Sequence, residues 1–347
     1  MKALVFHGPG KRAWEDVPEP ELREPTDAVV RVDATTICGT DLHILGGDVP
    51  EVAAGRILGH EAVGTIVEVG PGVRTRKKGD RVLVSCVSAC AVCSYCRRQL
   101  YGQCTNGGGW ILGHLIDGTQ AEYVRTPFAD TSLHPLPEGV SDETALTLAD
   151  ILPTSYEVGV RAGRIKPGDT VAIVGAGPVG LAAVIGAKLY SPRTIIVTDL
   201  ADSRLEAARR FGADITVNAK DDPEEAVRRA STDGRGADVV IEAVGFPATF
   251  ESAMRMVRPG GRVANVGVHG EPATLHLEQL WSLNLTITTS LVDTWSTPML
   301  LDMLATGRLD PSPLITHRFT LDQMEQAYEV FADAGETGAL KVAITRE

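Results

Sequence analysis

The sequence predicts an α/β fold that combines a doubly wound parallel sheet with a second, mainly β domain. From about residue 153, six strand-like runs alternate with helical stretches, a pattern typical of parallel sheets. The first 150 residues instead hold short β-like runs rich in Gly, Pro, Val and Thr, without a long amphipathic helix. A chain of 347 residues is long enough for about two such domains.

The elements follow in chain order. Residues 1–152 should form the first domain, with strands at 28–32, 64–69 and 80–85. Residues 153–295 should form the second, with strands TVAIV, TIIVT, ITVN, DVVIEAV, RVANVGV and LTITTS and helices such as SRLEAARRFGA and PATFESAMRMVRPGG. The tail, 296–347, holds two predicted helices and a last strand, LKVAI. It is too small for a third domain and is expected to complete the first.

Charge and hydropathy exclude several classes of partner. The 45 acidic and 33 basic side chains leave a net charge of −12, which argues against nucleic acid or an anionic membrane. Residues 170–187 are free of charge, but GAGPVG within them is a turn signature and not the interior of a spanning helix. The start, MKALVFHGPGK, does not resemble a signal peptide, so we expect a reducing cytoplasm, where clustered thiols are metal ligands more often than disulfides.

A glycine turn predicts a dinucleotide site. Gly175, Gly177 and Gly180 form G-x-G-x-x-G between the strand TVAIV and an apolar helix, where a pyrophosphate can sit on the helix N-terminus. The second strand ends at Asp199, whose carboxylate would accept hydrogen bonds from the ribose hydroxyls. It would also repel a 2′-phosphate, which favours NAD over NADP.

Five of the six cysteines lie between residues 86 and 104. Four of them, in the spacing C-x2-C-x2-C-x7-C, could surround one tetrahedral zinc ion and leave no open position: Cys90, Cys93, Cys96 and Cys104. An iron–sulfur cluster is the competing interpretation, because four cysteines serve both. Cys86 lies outside the spacing and is interpreted as a buried thiol that could reach a pocket wall.

A second metal site is predicted from separate segments. Cys38 lies in ICGTDLH, and His60 and Glu61 lie in GHE. A cysteine and a histidine with a carboxylate would make a three-ligand zinc site with room for a substrate.

Together CGTDLH, GHEAVG, the four-cysteine segment and GAGPVG resemble the zinc-dependent medium-chain alcohol dehydrogenases over nearly the full length. The bacterial and archaeal secondary-alcohol branch is the most similar. The resemblance implies a GroES-like catalytic domain, completed by the tail, and a Rossmann domain for the cofactor.

The resemblance also implies roles for individual residues. Cys38 and His60 would bind a catalytic zinc, with Asp150 where many members have a cysteine. Glu61 would lie behind the metal and exchange for a ligand or water, and Asp41 would orient His60. Further implied roles are a proton relay (Thr40, His43), pocket walls (Thr40, Cys86, Trp110) and cofactor contacts (Thr154, Gly175, Gly177, Pro178, Val179, Gly180, Asp199, Arg204, Val244, Gly267, Val268, Leu291).

Two of these roles stay open at the level of the sequence. Trp110 could equally be a core aromatic residue. Arg204 could contact the adenosine ribose or only cap an exposed helix face.

The expected function is NAD-dependent zinc alcohol dehydrogenation, with two zinc ions per chain. Hydride would pass reversibly between NAD and a secondary or medium-sized primary alcohol, giving a ketone or aldehyde. Relatives are dimers or tetramers, so a homo-oligomer is expected.

Three other functions compete with this interpretation. A polyol or threonine dehydrogenase of the same superfamily would share most motifs. A zinc-free quinone reductase would lack Cys38 and His60. A non-catalytic zinc or redox-sensing protein would leave Thr40, His43 and the glycine turn without a role.

Overall fold

The computed structural model describes residues 1–346, so residue 347 of the predicted tail lies outside the described residues. The strands are β1 (Lys2–Phe6), β2 (Arg12–Asp16), β3 (Ala28–Thr35), β4 (Arg56–Ile57), β5 (Ala62–Val69), β6 (Arg81–Val84), β7 (Tyr123–Thr126), β8 (Leu133–Pro135), β9 (Thr170–Val174), β10 (Thr194–Asp199), β11 (Ile215–Asn218), β12 (Ala237–Glu242), β13 (Val257–Asn265), β14 (Thr286–Thr289), β15 (Ile315–Thr320) and β16 (Lys341–Thr345).

The α-helices are α1 (Gly39–Gly46), α2 (Ala129–Ser132), α3 (Asp142–Leu146), α4 (Ile151–Thr154), α5 (Pro178–Lys188), α6 (Asp202–Phe211), α7 (Pro223–Ala230), α8 (Pro247–Met256), α9 (Leu277–Leu280), α10 (Thr297–Ala305), α11 (Met324–Ala332) and α12 (Ala334–Thr337). A π-helical segment, Ser155–Arg161, continues α4. Short 3-10 turns lie at Cys96–Arg98, Tyr101–Gln103, Ser312–Leu314 and Leu321–Gln323.

The first compact unit contains Met1–Asp150 and the segment from Val292 onward. The sequence limits of 152 and 296 differ from these boundaries by two and four residues. One sheet has the order β2-β1-β4, and a larger one has the order β15-β16-β3-β5-β6-β8, with β7 pairing β3.

The C-terminal tail joins the core of this first unit. Met324, Ala327 and Tyr328 of α11 pack in one buried cluster with Leu4 and Ile37. The tail also contains β15, which the sequence analysis did not predict; it runs parallel to β16. Only every second side chain of ITHRFT turns toward the protein interior, so the apolar signal of this strand is weak.

The second unit, Ile151–Leu291, is the doubly wound parallel sheet that the sequence predicts. Its six strands have the order β11-β10-β9-β12-β13-β14, and every pair is parallel. All five residues of the central strand β9 are buried, as expected for a strand covered on both faces. The charge-free run 170–187 is therefore β9, a glycine turn and most of α5. Among the described residues, no helix combines the length and apolarity that crossing a membrane requires.

Candidate functional site

The first candidate metal centre is the cysteine lobe, made of Cys90, Cys93, Cys96 and Cys104. The four sulfurs all lie within 4.8 Å of one another, and those of Cys90 and Cys96 are 3.9 Å apart. A tetrahedral ion with bonds of about 2.3 Å would place its sulfurs about 3.8 Å apart. This spacing suits one zinc ion and is tight for a cluster of several irons, and all six cysteines of the chain are free thiols.

Backbone amides of the lobe stabilise thiolates. The Cys93 amide donates to the Cys90 sulfur and the Cys96 amide to the Cys93 sulfur, both at 3.4 Å. The amides of Cys96 and Thr105 lower the pKa of Cys93 to about 5. Burial, with the neighbouring thiols, raises the pKa of Cys96 to about 12. At neutral pH the Cys93 sulfur is therefore a thiolate, the form that binds a metal.

The second candidate centre is the open centre, made of Cys38, His60 and Asp150 with Glu61. Sheet register explains why they meet. Thr35, the last residue of β3, pairs with Ala62, the first residue of β5, so the chain segments after β3 and before β5 lie together. Asp150 lies in the loop before α4. The carbonyl of Ala149, in the same loop, accepts a hydrogen bond from the amide of Cys86, which follows β6.

The donor atoms of the open centre are mutually close. One atom from each of the four residues lies within 4.8 Å of the others. Asp150 Oδ2 is 3.4 Å from His60 Nε2 and 3.6 Å from Cys38 Sγ. Burial lowers the pKa of His60, but Asp150 and Cys38 outweigh it and raise that pKa well above its ordinary value. One sulfur, one imidazole nitrogen and carboxylate oxygens at such distances form a donor set that fits zinc.

Asp41 holds the cysteine loop and faces the histidine. Its Oδ2 accepts from the Cys38 amide at 2.9 Å and from Gln120 Nε2 at 3.0 Å, and its Oδ1 lies 4.0 Å from His60 Nδ1. The Tyr328 hydroxyl, fully buried in α11, donates to Gln120 Oε1 at 2.7 Å. A chain of hydrogen bonds thus runs from the tail to Asp41, beside the histidine. Gln120 and Tyr328 were not predicted from the sequence.

Glu61 is buried against Lys341, a third residue that was not predicted from the sequence. The two side chains form an ion pair and are 1% and 2% exposed. Burial raises the pKa of Glu61 to about 7 although Lys341 opposes this shift. Burial lowers the pKa of Lys341, but Glu61 and Cys38 outweigh it and the net shift is upward. Lys341 is therefore a cation at neutral pH, and its ammonium favours the anionic form of Glu61.

Two side chains line the open centre. The Cys86 sulfur lies 3.6 Å from Asp150 Oδ1, and the thiol is buried. The Trp110 ring meets the His60 ring edge-on, with centroids 6.3 Å apart. His114, which the sequence analysis did not single out, stacks on Trp110 at 4.2 Å and fixes its orientation.

The residues of the predicted relay lie on α1. The Thr40 hydroxyl is 3.6 Å from the Cys38 sulfur, close to the ligand set. His43 is exposed, and its Nδ1 is 2.8 Å from an oxygen of Asp48. One residue therefore lies at the open centre and the other at the surface, with no direct bond between them among the described contacts.

The glycine turn in the second unit has the geometry of a phosphate cradle. Gly175 has φ +99°, and a Cβ on Gly180 would lie 1.9 Å from the Gly175 carbonyl oxygen, so neither position accepts a side chain. A Cβ on Gly177 would meet nothing within 4 Å. The space above Gly177 and the amides of the first turn of α5, beginning with that of Val179, therefore fit an anionic group; Pro178, the first residue of α5, has no N–H to donate.

Asp199, at the end of β10, lies directly beside this turn. Its carboxylate accepts from the Ala176 amide at 2.8 Å and from the Ala201 amide at 2.9 Å. Arg204 Nη1 is 4.0 Å from the same carboxylate. Arg204 thus contacts the acid expected to bind the ribose.

The remaining predicted cofactor residues follow the strand ends. Val244, Val268 and Leu291 come after β12, β13 and β14, and all three are exposed apolar side chains. Because the strands are parallel, these positions share the sheet edge that carries Gly175. A Cβ on Gly267, at the same edge, would lie 2.2 Å from the Gly245 nitrogen. Thr154 ends α4, in the second unit.

The comparisons with known proteins cover both units. Residues 24–138 match the family described as "Alcohol dehydrogenase GroES-like domain", and residues 178–306 match "Zinc-binding dehydrogenase". The chain is 40% identical to an alcohol dehydrogenase of Cupriavidus necator, over 99% of this chain and 98% of that protein. It is 36% identical to an NADP-dependent isopropanol dehydrogenase of Thermoanaerobacter brockii, over 96% of each. A solved structure, zinc-dependent alcohol dehydrogenase 2 from Streptococcus pneumonia in its apo form, superposes with a TM-score of 0.95, 50% identity and coverage of 100% and 99%.

Proposed function

The chain belongs to the zinc-dependent medium-chain alcohol dehydrogenases, and from this premise we propose that it oxidises secondary or medium-sized primary alcohols reversibly, with NAD as hydride acceptor. One observation carries the site assignment: Cys38, His60 and Asp150, from three separate segments, present metal-binding atoms within 4.8 Å of one another. We propose that these three residues hold a catalytic zinc. When bound there, zinc supplies a Lewis acid that makes an alcohol oxygen more acidic.

The side chains around the centre support this chemistry. Asp41 Oδ1 faces the Nδ1 side of the His60 ring at 4.0 Å, and Nε2 faces Asp150. Thr40 is the hydroxyl near the ligand set and would accept the alcohol proton. His43, exposed and paired with Asp48, would release that proton to solvent. The nicotinamide, when bound, takes the hydride.

A second, structural zinc belongs in the cysteine lobe. Four sulfurs close the tetrahedron, so no position is left for a substrate, and the ion would contribute folding energy only. Six free thiols also suit a reducing compartment, and a cytoplasmic location is part of this proposal.

The lining of the open centre supports a simple alcohol over a polyol. Cys86 contributes a thiol and Trp110 an aromatic ring beside the ligand set, and neither side chain carries a charge. The relative from Thermoanaerobacter brockii is named as a dehydrogenase of isopropanol, a small secondary alcohol. NAD reduction measured in parallel with propan-2-ol, sorbitol and threonine tests this choice. We expect the highest kcat/KM with propan-2-ol; a preference for sorbitol or threonine would favour the alternative dehydrogenases.

The choice of NAD rests on Asp199. Its carboxylate, fixed by two backbone amides, leaves a negative charge where a 2′-phosphate would lie. The Thermoanaerobacter relative is NADP-dependent by name, and Arg204 is a cation close to the same place, so the preference requires measurement. We expect wild type to prefer NAD and Asp199→Gly to weaken NAD and gain NADP activity. A wild-type preference for NADP would reverse the assignment.

We further propose a homo-oligomer, a dimer or a tetramer. β14 is the last strand of the six-stranded sheet, and no described strand pairs with its outer edge. Nearby Leu277 and Trp281 are exposed, Trp281 by 79%. An open edge with exposed apolar neighbours favours pairing with another chain. Light scattering should report a dimer or tetramer in wild type and a smaller species for Ile287→Lys.

A further inference from the structure

Lys341 is a buried cation at the rear of the open centre. It begins β16, and its ammonium donates to the Glu61 carboxylate and, at 3.1 Å, to the Ile37 carbonyl. Ile37 precedes Cys38 and Glu61 follows His60. One ammonium therefore touches the chain next to both of these proposed metal ligands.

Strand pairing accounts for this position. β16 is antiparallel to β3, with Ile344 opposite Thr35. Continuing that register brings the first residue of β16 to the level of the chain just after β3, where Cys38 lies. The lysine is thus presented to the centre by the sheet and not by a mobile loop.

The two carboxylate oxygens of Glu61 differ in their hydrogen-bond partners. Oε1 is paired with Lys341, whereas Oε2 is buried and has no hydrogen-bond partner among the described residues. One oxygen of Glu61 belongs to the group of four potential ligand atoms. If Glu61 joined Cys38, His60 and Asp150 on the metal, four protein ligands would close the position that an alcohol requires.

We propose that Lys341 is a positioning residue that holds Glu61 by one oxygen and so limits its entry into the metal's ligand set. This inference rests on the proposed zinc alcohol dehydrogenase function. The charges support it, because Cys38, Asp150 and Glu61 would place three anionic groups around a dication. Lys341 supplies the remaining positive charge and competes with the metal for the Glu61 carboxylate.

The test uses the visible absorption of protein whose open centre holds cobalt while the cysteine lobe keeps zinc, verified by metal analysis. The positions and intensities of the cobalt bands report the number and the identity of the ligands around the ion. We expect Lys341→Met to change these bands, because the released carboxylate enters the position that an alcohol would take, and to lower kcat by about 10–100-fold.

Matched variants separate positioning from a merely structural role. Lys341→Arg keeps the charge and should restore the wild-type spectrum in large part. In a Glu61→Gln background, adding Lys341→Met should leave the cobalt bands unchanged. Lys2→Met, which removes an exposed ion pair with Asp322, is the control for losing a lysine and should match wild type.

Two results would overturn the inference: a Lys341→Met protein with wild-type bands and only a lower Tm, or a band shift that persists with Glu61→Gln. If Lys341→Met does not fold, Lys341→Leu, which is uncharged and cannot donate a hydrogen bond, takes its place under the same two criteria. Failure of the proposed function has a different signature. Wild type would then bind no cobalt at the open centre, or would bind it and oxidise no alcohol.

Discussion

The two candidate metal centres of the first unit are assembled in opposite ways. The cysteine lobe takes all its sulfurs from residues 90–104, and backbone amides within the loop donate to them. The open centre takes its ligands from positions 38, 60 and 150 and its supporting contacts from Gln120, Tyr328 and Lys341. A closed local shell can stabilise the fold but offers no site for chemistry, whereas an open shell depends on the whole unit for its geometry.

The largest contrast should come from Asp150→Ala. Removing a ligand from the open centre removes the metal or its Lewis acidity, and we expect kcat to fall on the order of 1,000-fold. The fold should survive, with about one zinc per chain in the cysteine lobe, and Asp150→Cys should recover part of the lost metal. Metal analysis, circular dichroism and turnover measure this together. An Asp150→Ala protein with two zinc ions and near-normal kcat would mean that Asp150 is not a ligand of the catalytic metal.

Cys93→Ser should produce the reverse pattern. Losing one of four sulfurs should release the structural zinc and cost several kcal/mol of unfolding free energy, because metal binding there is folding energy. Protein that still folds should keep zinc in the open centre and measurable activity. Val92→Ser, exposed in the same loop, is the matched control. A Cys93→Ser protein with wild-type zinc content and Tm would contradict a structural metal.

Falling pH should weaken metal binding at the open centre. The raised pKa of His60 means that, without metal, the ring holds a proton at a higher pH than an ordinary histidine does. Zinc affinity of the open centre should be full above that pKa and should fall as pH drops through it, by up to tenfold per pH unit for each displaced proton. Competition with a chelator at a series of pH values measures this affinity. An affinity of the open centre that stays constant as pH falls would contradict the expectation.

The smallest effect should come from Asn106→Ala. Its side-chain amide donates to the Cys90 sulfur at 3.4 Å, but the residue is exposed, so water can replace part of this contact. We expect a loss of about 1 kcal/mol of unfolding free energy and no change in kcat. Denaturant unfolding and turnover measure the two quantities. A drop in kcat would show that the two centres are coupled.

The sequence alone was sufficient for features encoded over short distances along the chain. The doubly wound sheet followed from alternating apolar strands and helices, and the glycine turn with Asp199 followed from spacing along one βαβ unit. The cysteine lobe was equally visible, because its ligands lie within one loop. Cys38, His60 and Glu61 were proposed from the sequence as a metal site, but Asp150 was named only through a family resemblance, since it lies 112 positions from Cys38.

Tertiary structure decided which distant side chains surround those residues. Lys341 and Glu61 are 280 positions apart, and Tyr328 and Gln120 are 208 apart. No periodicity or spacing connects them, because the contact exists only once β16 pairs with β3 and α11 packs into the core. A buried lysine is also indistinguishable in sequence from the exposed lysines that are the rule. Its burial is acceptable only because folding brings a carboxylate to it, and that pairing is a property of the three-dimensional arrangement.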